Sequence, residues 1–248
     1  MGKINNQYLS DVNWQKALQS LAINNSEVHI WRINISQNLS SLNKFKALLN
    51  PAELVRAGKY LQRKDHDRFI VSRGAQRIIL GWYLNTPPQQ LEFVLGDNKK
   101  PHLFSKDGNP FHYNLSHSGD WIVLAIATSQ VGTDVEFIDE TFKFQDILPD
   151  NFSEEEATYI NQENAAERFF ALWTRKEAIL KATGQGLGEH LQITPALNGE
   201  HPLQHKLTGA DKNWILNSFS IQPGYISSVV VEDAGQSFKF FDAGLNIP

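Results

Sequence analysis

The sequence predicts an α+β protein built from two similar α/β lobes that meet near residue 130. Strand-like apolar runs alternate with helical periodicity along the whole chain, and no linker or low-complexity segment interrupts them. Each half also holds helices followed by two strands joined at a glycine-containing turn. These are "FHYNLSHSGDWIVLAIA" in the first half and "NSFSIQPGYISSVVVE" in the second. The first lobe is expected to span residues 1–130 and the second 131–248.

Taken in order, "SEVHIWRINI" (26–35) is β-branched and aromatic, which suits a strand. Asn50-Pro51 starts a helix, because Asn caps well and Pro is tolerated at the first helical position. The helical pattern runs with a break to about Leu84, where Asn85-Thr86-Pro87-Pro88 stops it. "LEFVLG" is a short strand ahead of the polar loop "DNKKPHLFSKDGNP". A turn at Ser118-Gly119-Asp120 leads into "WIVLAIAT", apolar throughout as a buried strand is, and Ser129-Gln130 joins it to the strand "VGTDVEFI". Helices are expected over Ser153–Gln162, where Ser153 and Glu156 form a capping box, and over Ala165–Thr183, ended by Gly184. "NWILNSFSI" and "YISSVVVE" are strands around a Pro223-Gly224 turn.

The 248 residues are 41% hydrophobic and 20% charged, as in a globular protein with a core. No apolar run is long enough to span a membrane, and "MGKINNQYLSDVNW" lacks the apolar centre of a signal peptide. With no cysteine there are no disulfides or thiolate metal sites, and a cytoplasmic protein is expected. One chain that already supplies both lobes is expected to be a monomer. The net charge of −4 argues against a general nucleic-acid binder. Residues 50–80 depart from it, with seven basic residues against three acids. That is either a solvated face or a site for a compact anion such as phosphate.

In "VGTDVEFI", residues two apart share a face, so Gly132, Asp134 and Glu136 lie opposite Val131, Val135 and Phe137. Two carboxylates on one side of a buried-looking strand repel one another unless water or a cation reaches them. An edge strand with a wet face is the ordinary explanation. Oxygen-only ligands suit a hard cation, Mg²⁺ first, with Mn²⁺ as a substitute.

In "FFALWTRKEAILKATGQGLG" (169–188), Phe169, Phe170, Leu172, Trp173, Ile179 and Leu180 share one apolar arc at about 100° per residue. Lys176, Glu177 and Lys181 fall inside or beside it, with Ala171, Arg175 and Ala178 opposite. Glu177 and Lys181 alone would be an ordinary i,i+4 pair. Charges on the apolar arc point instead to a cleft. There Asp134, Glu136 and Glu177 hold one Mg²⁺, while Lys176 and Lys181 meet phosphate oxygens, a pattern of phosphoryl-transfer chemistry.

The ordered set "KKPHLF…FHYNLSHSG", "VGTDVE" and "FFALWTRKEAILKATGQGL" resembles the three motifs of the 4′-phosphopantetheinyl transferases, most of all the larger two-lobed type. The resemblance implies a pseudo-two-fold pair of α+β lobes with coenzyme A in the cleft between them. It implies Mg²⁺-dependent transfer of the phosphopantetheine arm of coenzyme A to a serine of an apo acyl or peptidyl carrier protein. Adenosine 3′,5′-bisphosphate is released. By the same resemblance Asp134, Glu136 and Glu177 match the metal site, and His117, beside Ser116, matches a phosphate contact. Lys100 matches another coenzyme contact, Arg56 and Arg68 match contacts to the 3′-phosphate, and Lys176 and Lys181 match the paired lysines around the glutamate. As catalytic groups, Glu177 is expected to take the serine proton directly or through a metal-bound water, Lys176 and His117 to donate to phosphate oxygens, and Lys181 to protonate or electrostatically stabilise the departing bisphosphate. Glu53, Phe69 and Thr133 depart from the family pattern.

Two competing functions remain at this stage: another Mg²⁺-dependent phosphoryl enzyme such as a nuclease, and a non-catalytic coenzyme A-binding relative. Asp139 and Glu140 are expected to face solvent, and Glu154 to Glu156 to serve a helix N-terminus.

Overall fold

The apolar run Trp121–Ala127 forms a strand buried along its entire length. It has no polar face to offer solvent, so both of its sides must be covered. The computed structural model describes residues 2–16, 21–95, 101–104, 111–186, 190–232 and 237–244. Its strands are β1 (Lys3–Leu9), β2 (Trp14–Lys16), β3 (Glu27–Asn34), β4 (Phe93–Leu95), β5 (Pro101–Leu103) and β6 (His112–Ser118). They continue as β7 (Trp121–Ala127), β8 (Val131–Phe137), β9 (Gly199–Pro202), β10 (Trp214–Gln222), β11 (Tyr225–Glu232) and β12 (Ser237–Asp242). The helices are α1 (Ile35–Asn38), α2 (Leu42–Lys46), α3 (Pro51–Ala57), α4 (Arg63–Leu84), α5 (Leu148–Asn151), α6 (Glu154–Ile160) and α7 (Ala165–Thr183).

Two five-stranded sheets result, in the orders β2-β12-β3-β7-β6 and β8-β11-β10-β1-β9. The internal echo is a repeat of topology. In the first lobe a strand (β3), a long helix (α4) and a hairpin (β6–β7) follow one another, with β3 antiparallel to β7. In the second lobe β8, α7 and β10–β11 repeat the series, with β8 antiparallel to β11. The α+β class and the two similar lobes are as expected. Both hairpins turn through a glycine with positive φ, Gly119 at 53° and Gly224 at 81°, where a side chain would be strained.

The chain crosses between lobes from β7 to β8, and its ends cross the other way. β1 pairs parallel with β10, and β12 pairs parallel with β3. Each lobe therefore takes a strand from the opposite half of the chain. Lys239 and Glu27 form an ion pair across the β12–β3 junction, and Arg32 holds Asp242 at 2.7 Å.

Alternate residues explain the layering. Trp31 and Ile33 of β3 pack with Ile70 and Ile79 of α4. Val28 and Ile30 turn the other way, toward Val131, Val135, Val229 and Val231 of the second sheet. Val230 of β11 faces Ala178 and Ile179 of α7. The order is helix, sheet, sheet, helix, and each such apolar side chain contributes roughly 1.5–3 kcal/mol by leaving water.

The two long helices are seated differently. On α7, Ala178 and Ala182 press against Gly132 of β8. A Cβ at 132 would collide with the Ala178 carbonyl oxygen and stand 2.5 Å from the Ala182 nitrogen. Backbone cannot yield there as a side-chain tip could. Gly132→Ala is expected to lower stability by at least about 2 kcal/mol and shift α7 off β8. Urea unfolding checks this, and an unchanged midpoint would contradict the close packing.

Candidate active site

β6 and β8 are edge strands of different sheets, and they lie side by side without a backbone ladder. Side chains bridge them instead. Asn114 Oδ1 accepts the Thr133 N–H at 2.8 Å, and Ser118 Oγ accepts the Phe137 N–H at 3.1 Å. Ser116 Oγ donates to Asp134 Oδ1 and Ser118 Oγ to Glu136 Oε2, both at 2.7 Å. Asn114, Ser116 and Ser118 alternate along one face of β6, which is why "NLSHS" carries its polar groups at every second position. Sequence reasoning named Ser116 but missed Asn114 and Ser118, although their two-residue spacing was the signal.

Over these strands α7 lays Glu177 and Lys181, one helical turn apart. Lys181 Nζ stands 2.6 Å from Asp134 Oδ1, 3.0 Å from Glu177 Oε2 and 3.2 Å from Ser116 Oγ. Among the described residues, one ammonium thus serves the part of the cleft that Asp134, Glu136 and Glu177 line. Burial first, then the Asp134 charge, pushes Glu136 up to about 7 against the Ser118 hydrogen bond. Burial and Asp134 also raise Glu177, against the pull of Lys181 and Trp173. Burial opposes the charge on Lys181, yet Asp134 and Glu177 outweigh it and its pKa rises.

Asp134 is 1% exposed and its Oδ2 has no hydrogen-bond partner. A buried orphan carboxylate oxygen beside two carboxyls of raised pKa is a site short of positive charge. The donor set is all oxygen, which fits a hard divalent cation. Among the described residues no His, Asp and Glu trio is gathered as a finished metal cage. Lys181 stands between two of the three carboxylates.

The cleft has a volume of about 420 Å³ and Asp134, Glu136, Glu177, Lys181, Ser116 and His117 line it. Arg56, Arg68 and Arg73 line it too, beside Asp65. Arg56 and Arg73 hold their guanidinium groups 5.4 and 5.7 Å from the centre of the Phe69 ring, and Arg68 pairs with Asp65 at 2.9 Å. Arg73 was missed at the sequence level, hidden among the basic residues of α4. Desolvation within the cleft, then the Arg68 charge, holds His117 below the ordinary histidine range. Carboxylates and guanidiniums lining one cleft suit an anionic ligand with a hard cation beside it.

A family model described as the 4′-phosphopantetheinyl transferase superfamily matches residues 130–229, and one described as 4′-phosphopantetheinyl transferase, N-terminal, matches 36–129. The 4′-phosphopantetheinyl transferase HetI of Nostoc sp. is 32% identical over 92% of this chain and 97% of its own length. The chain belongs to the 4′-phosphopantetheinyl transferase superfamily. Further relatives are the psf-1 transferase of Bacillus pumilus, 30% identical over 68% of this chain and 76% of its own, and the Sfp transferase of Bacillus subtilis, 22% identical over 75% and 83%. Among the described residues no helix is long and apolar enough to cross a membrane.

Within this transferase, Lys176 is not where the motif reading put it. Its Nζ is wholly buried, 2.7 Å from Glu156 Oε2, and donates to the carbonyls of Leu191 and Thr194 at 2.8 and 2.6 Å. All three ammonium protons are spent inside the lobe, and Lys176 does not line the cleft. Glu156 is correspondingly more than a helix-end charge. It closes the Ser153 capping box and also accepts the Ala196 N–H at 2.8 Å. Arg175, expected opposite the apolar arc, is buried on Ser218, Asn198 and the Ala196 carbonyl. Glu53 caps α3 and grips buried Arg77 at 2.8 Å, which accounts for an acid at that position. Lys100 lies outside the described residues.

Lys176→Met leaves Glu156 buried without its cation and should cost about 3–5 kcal/mol in urea unfolding. An unchanged unfolding midpoint would contradict the buried pairing and return a phosphate role to Lys176. Glu136, with its pKa raised on folding, contributes stability that is complete below the ordinary carboxylate range and is lost as pH rises through about 7. In chelator, the wild type should therefore lose more Tm between pH 5 and 8 than Glu136→Gln does, and equal slopes would refute this.

Proposed function

We propose that the protein transfers the 4′-phosphopantetheine arm of coenzyme A to a serine of an apo acyl or peptidyl carrier protein, releasing adenosine 3′,5′-bisphosphate. The observation that carries this reading is the cleft itself. Asp134 and Glu177 meet Lys181 there with Glu136 beside them, and Arg56, Arg68 and Arg73 line the same cleft. The names of the relatives support the same chemistry.

Asp134, Glu136 and Glu177 are the residues that would hold Mg²⁺. A bound divalent ion supplies charge neutralisation and alignment of the pyrophosphate. The protein's own groups do the rest. The arginines of the cleft take the 3′-phosphate and adenosine end and fix the coenzyme lengthwise, so that the pyrophosphate falls beside His117 and Lys181. The serine oxygen bonds to the phosphorus that bears pantetheine, and the bond from that phosphorus to the bridging oxygen breaks. Glu177 takes the serine proton. Its raised pKa makes it a stronger base than an exposed glutamate, at the cost of a larger protonated fraction near neutrality. Lys181 turns on its flexible stem from the carboxylates toward a phosphate oxygen and offsets the charge that collects on the leaving group.

The protein, incubated with coenzyme A, Mg²⁺ and apo acyl carrier protein, should add the mass of one phosphopantetheine to the carrier. Hydrolysis of phosphodiesters without that gain, or coenzyme A binding without turnover, would overturn the reading. Glu177→Gln should lower kcat by at least about 10²-fold, and excess Mg²⁺ should not restore it. Rescue by Mg²⁺ would reduce Glu177 to a metal ligand.

A further inference from the structure

The connection between α3 and α4 places its one aliphatic side chain fully in water. Leu61 is 101% exposed and Val55, on the preceding helix, 63%. Tyr60 beside them turns inward and packs on Phe69 at 5.4 Å, which directs Leu61 away from the core. Between residues 55 and 64 there are four cations (Arg56, Lys59, Arg63, Lys64) and no acid, in a chain whose net charge is −4. Arg63 is paired with Asp67 at 2.7 Å. Lys59 and Lys64 are exposed, and no ion pair with either is found among the described residues. A bare leucine between unpaired lysines does nothing for the fold. Such a patch is what a partner surface looks like before the partner arrives.

Its position names the partner. The same stretch supplies Arg56 and Tyr60 to the wall of the cleft, so the elbow is part of the cleft mouth. From the other lobe, β8 runs out of the cleft past Glu136 to exposed Phe137. The first-lobe rim is therefore cationic, while the cleft behind it holds the carboxylates of the second lobe. A protein whose serine must reach Glu177 has to lie across that mouth, and the charge pattern selects its orientation.

We propose that this elbow is the docking surface for the acceptor protein. Lys59 and Lys64 meet an acidic face on the acceptor, and Leu61 enters an apolar socket within that face. This rests on the carrier-protein reading of the cleft.

Steady-state transfer to an apo acyl carrier protein tests it, with the carrier and coenzyme A varied in turn. The double variant Lys59→Glu/Lys64→Glu should raise the carrier KM about tenfold and flatten its dependence on salt, leaving kcat and the coenzyme A KM within about twofold. Leu61→Ser should raise the carrier KM about fivefold with no loss of salt dependence. Melting curves matching wild type would show that both variants fold. Wild-type transfer with an unmoved carrier KM in every variant would overturn this surface alone. A rise in the coenzyme A KM of equal size would assign the elbow to the nucleotide and likewise overturn it. So would unchanged carrier kinetics together with charge-dependent sedimentation of the protein on phosphatidylglycerol vesicles. A wild type that never modifies the carrier would remove the reaction itself and this surface with it.

Discussion

Lys181 holds the site together. Its ammonium is shared between Asp134 on β8 and Glu177 on α7, and it donates a hydrogen bond to Ser116 on β6. Three elements from both lobes converge on one nitrogen. Without it, the carboxylates that line this cleft would face one another in a poorly solvated space, a repulsion that would push the helix from the strand or protonate the acids. Burial first, and then the Asp134 charge, keeps the pKa values of Glu136 and Glu177 raised in spite of that ammonium. The surplus negative charge is held in place by packing that has no charge at all. Gly132 lets α7 sit so close to β8 that the acids cannot separate.

The cleft exists because two sheet edges meet and do not join. Had β6 and β8 formed a ladder, their backbone groups would be paired and the side chains between them committed to sheet faces. Instead Asn114 and Ser118 satisfy the backbone N–H groups of Thr133 and Phe137, and Ser116 and Ser118 each donate one hydrogen bond to an acid. The edges are protected from pairing with a foreign strand, and the space between them stays open to a ligand. An internal repeat serves this arrangement, since each lobe contributes one edge. The exchanged strands β1 and β12 bind the lobes to each other from the far side.

Most of this was legible wherever one physical pattern dominated. The strands from Trp121 to Phe137, the caps at Asn50, Ser153 and Gly184, and the glycine turns at 119 and 224 follow from periodicity and turn chemistry. The strands β1, β9 and β12 did not announce themselves. "KINNQYL" buries Ile4 and Asn6 on one face, and a buried asparagine, whose amide donates to the Pro195 and Leu197 carbonyls, breaks the apolar alternation that marks a strand. "SFKFFD" is short and is ordered by its partner β3, a contact that local sequence cannot carry. In the site, the D-x-E face and Glu177 were legible, while Ser118 and Arg73 were not. Their roles depend on which strand or helix lies opposite.

Lys176 and Lys181 show where periodicity ends as a guide. Both sit at the margin of one apolar arc on one helix, and both looked available to a phosphate. The inference assumed a helix with a wet side and a dry side. α7 has polar partners on several sides: Glu156 and the Leu191 and Thr194 carbonyls take Lys176, Ser218 and the Ala196 carbonyl take Arg175, and the cleft takes Glu177 and Lys181. For a helix enclosed in this way, charge no longer marks the solvent face. Each ionisable side chain is sorted by the element packed against it, and a buried lysine whose three protons are all bonded has nothing left to offer a substrate.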